Sequence, residues 1–215
     1  GQQSERFSKS HFWCVDPLDG TLPFVEGIPG YAVSIALVER SGTPLVGVVC
    51  DPASGTLMHA IKGRGAYKNL HPMHPENEPF NPLIVFADLS FQTMDNYNDT
   101  VRVLKALAND SGLEGIEIVY GNGAVKNACR VLDYSTACYL KLPKSDNGGG
   151  SIWDFAAAAC IVQEAGAWAS NIHGDALDLN RRDSTFMNHQ GVVFASSEQI
   201  ARPLIETLSR QVLSL

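Results

Sequence analysis

The stretch SIWDFAAAACIVQEAG, Ser151 to Gly166, constrains the fold of this chain more than any other. It is rich in alanine and apolar on nearly every side. Ser151 suits an N-cap and Gly166 a stop, so the pattern predicts a helix over 152–165. A helix with so little polar surface has to pack deeply. Its one early acid, Asp154, stands between Trp153 and Phe155. A carboxylate in a first helical turn suits the helix dipole, and that alone accounts for it. A carboxylate at the end of a buried helix is also well placed to complete a metal cluster.

The rest of the chain supplies layers for such a helix. Apolar segments at 12–16, 30–40, 45–52 and 57–62 read as strands, joined by short turns at Ser41–Pro44 and Ala53–Thr56. They form an antiparallel meander, broken by GRGAYKN at 63–69. The Pro-rich stretch 71–82 reads as a loop, and its histidines, His71 and His74, as surface residues. Beyond it, strands at 83–88, 116–121, 136–142 and 191–196 alternate with helices at 99–109, 124–132 and 198–213. The expected class is mixed α/β in layers. The Pro-rich stretch is the candidate internal boundary, between an antiparallel sheet portion, 1–80, and an α/β portion, 81–215, which are expected to work together as one catalytic unit.

Charge and cysteine content exclude other classes. The 215 residues carry a net charge of -7, unlike a basic nucleic-acid footprint, and no apolar run reaches membrane-spanning length. The five cysteines form no CxxC pair and lie mostly in apolar runs, which fits buried free thiols in a reducing, cytoplasmic compartment.

Near the N-terminus stands WCVDPLDGT, Trp13 to Thr21. Asp16 ends an apolar strand, Pro17 stiffens its exit, and Asp19 follows in the turn. Two carboxylates and the Leu18 carbonyl make a hard-oxygen set of the kind Mg²⁺ prefers. Gly20 and Thr21 follow at the start of a short helical turn in which Pro23 fits, and backbone N–H groups there suit phosphate oxygens. Taken alone, DPLDG reads first as a turn whose carboxylates cap local N–H groups.

DPLDGTLPF together with WDFAAAACIVQEAG resembles the inositol monophosphatase-like superfamily of metal-dependent phosphatases, which includes bisphosphate nucleotidases and fructose-1,6-bisphosphatases. The run YAVSIALVERSGTPLVGVVCDPASGTLMHAIKGRGAYKN between them follows the same pattern. The resemblance covers about residues 12–170. It implies a sugar-phosphatase-like layered αβαβα sandwich, N-terminally truncated. It also implies Mg²⁺ held by Asp16, Asp19, Asp154 and the Leu18 carbonyl, phosphate bound by Gly20 and Thr21, and Asp19 and Thr21 in catalytic roles, with Thr21 helping to position the attacking water. The reaction implied is hydrolysis of a small phosphorylated metabolite: an inositol phosphate, 3′-phosphoadenosine 5′-phosphate or a sugar phosphate. A homodimer is the expected assembly, with no nucleic acid polymer or membrane as partner.

Substrate contacts are expected from the loop before Trp153, at Lys144 and Asn147. Lys126 and Arg130 form a small basic face that reads as a solvated helix surface. The resemblance also implies a metal-binding glutamate upstream of Asp16, where Glu5 is the sole acid. That gap leaves a second reading open: a non-catalytic homologue that binds metal or anion and serves in assembly or regulation.

Overall fold

The structure, a computed structural model, describes residues 3–78 and 80–212; Pro79 and Leu213, both inside the segments read above, lie outside them. A six-stranded antiparallel sheet comes first, with strands β1 (His11–Asp19), β2 (Ala32–Glu39), β3 (Pro44–Asp51), β4 (Thr56–Ile61), β5 (Ala66–Lys68) and β6 (His71–Met73) in spatial order β1-β2-β3-β4-β5-β6. The second sheet has β7 (Leu83–Phe86), β8 (Ile116–Val119), β9 (Ala137–Lys141), β10 (Trp168–Ser170) and β11 (Val192–Ala195) in order β10-β11-β9-β7-β8. Strands β8, β7 and β9 run parallel, and β11 and β10 are antiparallel to their neighbours.

The helices are α1 (Thr21–Glu26), α2 (Tyr97–Asp110), α3 (Ala124–Cys129), α4 (Ile152–Glu164) and α5 (Glu198–Val212). The apolar α4 lies between the sheets. Its Ala156–Ala159, Ile161 and Val162 share one core with Ala36, Val49 and Ala60 of the first sheet and with Phe86, Tyr139 and Phe194 of the second. Alanines on α4 let two sheets close on one helix. The far face of the second sheet, through Leu83, Val85, Cys138 and Val193, packs on Leu104 and Leu107 of α2 and on Leu204 and Leu208 of α5. Strands buried on both faces carry continuous apolar runs, as LIVF of β7 does. The order of layers is therefore sheet, helix, sheet, helix.

The outer face of the first sheet is different. Across the ladder, Trp13, Leu37, Val46 and Ile61 form one outward row and Val15, Ile35 and Val48 another. Trp13 is 65% exposed.

The structure corrects several local expectations. The first strand does not end at Asp16 but runs to Asp19. The stretch 63–69 does not end the meander, because β5 continues it. The segment 71–82 is not wholly loop, since β6 adds an edge strand despite Pro72; a sheet edge tolerates proline because one side needs no N–H donor. The helix at 124–132 stops at Cys129 and tightens to a 3₁₀ turn over Arg130–Asp133. β10 has no counterpart in the sequence reading, being only three residues long.

Candidate metal centre

Residues three apart in a regular strand point to opposite faces. Asp16 and Asp19 nevertheless are both buried. The pairing with β2 shows how: Asp16 faces Ser34 and Asp19 faces Ala32, so three steps on β1 match two on β2. The bulge at Pro17-Leu18 resets the alternation and turns both carboxylates inward. Each is also anchored. The Leu18 N–H donates to Asp16 Oδ1 at 3.0 Å, a local turn of the kind the sequence admits. Asp19 accepts from the N–H groups of Ala124 and Val125 at 3.1 and 2.9 Å, and so caps α3 from more than a hundred residues away.

Asp154 arrives from the opposite direction. The Ser151 N–H donates to Asp154 Oδ2 at 2.6 Å, the return arm of a capping box, which fixes the carboxylate at the first turn of α4. Ser34, opposite Asp16 in the ladder, donates its hydroxyl to the Trp153 carbonyl at 3.1 Å. That bond ties the start of α4 to the strand pair carrying Asp16. As a result, oxygens from Asp16, Asp19 and Asp154 lie within 4.8 Å of one another.

Three carboxylates this close repel. Burial pushes Asp19 up to about 6, with Asp16 adding to the effect and the Val125 and Ala124 N–H groups opposing it. Burial pushes Asp154 up to about 7, reinforced by a hydrogen bond shared with Asp16 and by the charge of Asp19. A donor set made only of carboxylate oxygens, two of them reluctant to ionise, fits a divalent hard cation.

Two glycines keep the centre open. Gly20 has φ +79°, and a Cβ there would meet the Gly30 carbonyl oxygen at 2.6 Å. Gly123 has an ordinary backbone (φ −68°), but a Cβ would lie 2.2 Å from Asp19 Oδ2. Gly123→Ala is therefore expected to displace the Asp19 carboxylate, which caps α3, and to press on the Gly20 backbone nitrogen at 2.6 Å. It should weaken divalent-cation affinity by at least about tenfold and also lower the unfolding midpoint; calorimetric titration with Mg²⁺ and thermal melts measure both.

A cavity of about 330 Å³ opens beside the centre, lined by Asp19, Gly20, Thr21, Asp154 and residues of both portions of the chain. Thr21 is exposed there as the first residue of α1. Of the expected substrate residues, Lys144 and Asn147 are both exposed and are not among those lining this cavity. Glu5 is exposed and is not among the acids that meet. His71 and His74 are exposed, as expected. Lys126 is not solvated: its Nζ pairs with Asp51 Oδ2 at 2.6 Å, and both side chains are largely covered. Arg130 lies 4.8 Å over the Phe86 ring and pairs with Asp133.

The sequence reading missed Asp88, Asn122 and Lys141, all of which line the cavity. They share one signal. Asp88 and Asn122 follow β7 and β8, and Lys141 ends β9, so they mark the carboxyl ends of the three parallel strands, where open α/β sheets bind ligands. A charge closing an apolar strand, as in ACYLK, is the local trace of it.

Fold and site together define a class: a layered α/β protein with a carboxylate cluster, shaped for a divalent cation, at the mouth of a cavity. The chain belongs to the inositol monophosphatase family, whose model matches residues 1–213. Inositol monophosphatase 2 of Saccharomyces cerevisiae is 33% identical over 158 residues, which are 71% of this chain and 52% of that protein. An inositol-1-monophosphatase of Mesorhizobium japonicum is 30% identical over 204 residues, 93% of this chain and 68% of that one. The crystal structure of inositol monophosphatase-II from Staphylococcus aureus superposes with a TM-score of 0.72 at 24% identity, covering 100% of this chain and 77% of that chain. The chain thus spans about half the length of the yeast relative and about two thirds of the Mesorhizobium one.

Proposed function

We propose that this protein is a Mg²⁺-dependent phosphatase that hydrolyses a small phosphate monoester. The observation that carries the reading is the convergence of Asp16, Asp19 and Asp154 from two distant segments to within 4.8 Å beside a cavity. Family membership supports the same reaction class.

In this reading Asp16, Asp19, Asp154 and the Leu18 carbonyl hold the cation. A bound divalent cation supplies Lewis-acid polarisation of the phosphoryl group and lowers the pKa of water. The chain's own groups do the positioning. The N–H groups of Gly20 and Thr21 bind phosphoryl oxygens, and the Thr21 hydroxyl orients the attacking water. Water adds to phosphorus, the ester P–O bond breaks, and the alcohol leaves with a proton. Most of the rate enhancement comes from placement and electrostatics rather than a covalent intermediate.

The active assembly in this reading is a homodimer, as the family resemblance implies. The cysteines are all free in the structure, which supports a reducing cytoplasmic setting. Among the described residues no helix is long and apolar enough to cross a membrane.

Phosphate release from a panel of sugar, inositol and nucleoside phosphates, with Mg²⁺ and then with excess chelator, tests the reading. Release that depends on the cation is the expected result. Cation binding by calorimetry with no turnover on any substrate would select the second reading, a non-catalytic binding homologue. The position of Glu5 outside the acidic cluster is the observation in favour of that second reading.

A further inference from the structure

Lys141 is the one cationic side chain among the residues lining the cavity that holds Asp19 and Asp154. Its Nζ lies 2.7 Å from Asp88 Oδ2, with the two side chains 17% and 24% exposed, and 5.7 Å from the Phe155 ring centroid. The other oxygen of Asp88 accepts from the Tyr139 hydroxyl at 3.1 Å and from Asn127 Nδ2 at 3.2 Å. Asn127 in turn accepts from Asn122 Nδ2 at 3.3 Å.

The pair is unequal in bonding capacity. The Asp88 carboxylate is held by three donors from β9 and α3. The Lys141 ammonium carries three N–H donors; its direct ion pair is with that one carboxylate, and its charge also acts on Asp19 and Asp154. What the pair offers the cavity is therefore donor capacity with positive charge. Keeping an ammonium in a largely covered wall is costly, and an apolar side chain would close the wall at less cost. Such a group matches an acceptor-rich, anionic ligand far better than a neutral hydroxyl. The remaining charges at the cavity are acidic. Asp19 and Asp154 belong to the cation centre, and Glu26 is exposed on α1. At the rim, Leu22, Ile28 and Leu89 are about half exposed and supply apolar surface for a carbon skeleton.

We propose that Lys141, positioned by Asp88, binds a second anionic group on the substrate. The substrate is then a phosphomonoester whose alcohol carries a further phosphate or carboxylate, rather than the phosphate ester of a neutral polyol. This rests on the phosphatase reading above and narrows it. Lys141 touches the substrate, whereas Asp88 acts through Lys141 as a positioning residue.

Matched pairs of probes test the proposal with Mg²⁺ present: adenosine 3′,5′-bisphosphate against adenosine 3′-monophosphate, and 2-phosphoglycerate against glycerol 2-phosphate. The doubly anionic member is expected to have the higher kcat/KM by at least about tenfold, a typical yield of one charge-assisted hydrogen bond. Lys141→Met should collapse that ratio toward one, chiefly through KM, and Lys141→Arg should restore most of it. Asp88→Asn should raise KM for the doubly anionic member with kcat little changed. Thermal melts confirm that each variant is folded, and Lys141→Gln replaces Lys141→Met if the latter is not. Equal turnover within both pairs, or a ratio that survives loss of Lys141, overturns the proposal and leaves the phosphatase reading standing. No turnover of any probe overturns that reading, and the proposal with it.

Discussion

Asp19→Asn is expected to lower phosphate release on the order of a thousandfold, about 4 kcal/mol of transition-state stabilisation. Asp19 has two duties, and they must be separated. It contributes charge to the cluster, and it accepts the Ala124 and Val125 N–H groups at the start of α3. An asparagine has one acceptor oxygen and turns an NH₂ toward the second donor, so this variant also loosens α3. Asp16→Asn is the cleaner companion. Its side-chain oxygen still accepts the Leu18 N–H, so the turn survives while one negative charge of the cluster is lost. Both variants should lose activity, and Asp19→Asn should be the less stable of the two, because it alone loses part of the α3 cap. Steady-state kinetics with a Mg²⁺ series, paired with denaturant unfolding, measures the two effects. Full activity in Asp16→Asn would remove the assigned centre.

The second large effect is on stability, and its sign is unusual for carboxylates. Asp19 at about 6 and Asp154 at about 7 both lie above their ordinary value of 3.8. Between that value and the folded values, the native chain binds more protons than the unfolded one. Their contribution is therefore fully present below about pH 4 and is lost as the pH rises through 6 and 7. A tenfold difference in proton affinity between the folded and unfolded chain is worth about 1.4 kcal/mol. A divalent cation replaces those protons, so it should stabilise strongly at pH 8 and weakly at pH 5. At a hundredfold excess over Kd the gain is about 2.7 kcal/mol, or about 5–10 °C for a chain of this size. Asp154→Asn removes one repelling charge while its amide oxygen still accepts the Ser151 N–H. In chelator at pH 8 this variant should melt above the wild type, and Mg²⁺ should barely move it. A wild-type midpoint insensitive to Mg²⁺ at pH 8, or a variant that melts lower there, contradicts the account.

Both predictions depend on one local irregularity. The sequence reads as a strand that stops at Asp16, with Asp19 in the turn beyond; the structure carries the strand through both, and regular strand periodicity would send them to opposite faces. The bulge at Pro17-Leu18 corrects that. Proline is the visible hint, because it cannot serve in a regular ladder. The short strands β5 and β6 are hidden for a related reason. Three-residue strands carry too few side chains to display a period, and they exist because β4 offers an open edge to β5 and β5 in turn to β6. Lys126 reads as solvated in the sequence because its partner Asp51 is distant along the chain and reaches it only through packing.

By itself the sequence determined the layers and the donor types. The apolar helix at 152–165 had to be buried, the alternating strands had to give it sheets, and DPLDGT and WD carried the acids. These are properties of local pattern, which short-range sterics and burial dictate residue by residue. The tertiary structure alone decided that the acids meet, that Asp19 caps a helix more than a hundred residues on, and that Asp88 and Lys141 share their cavity. Those facts depend on which strand ends lie side by side, and chain topology sets that through contacts between segments that carry no mark of one another.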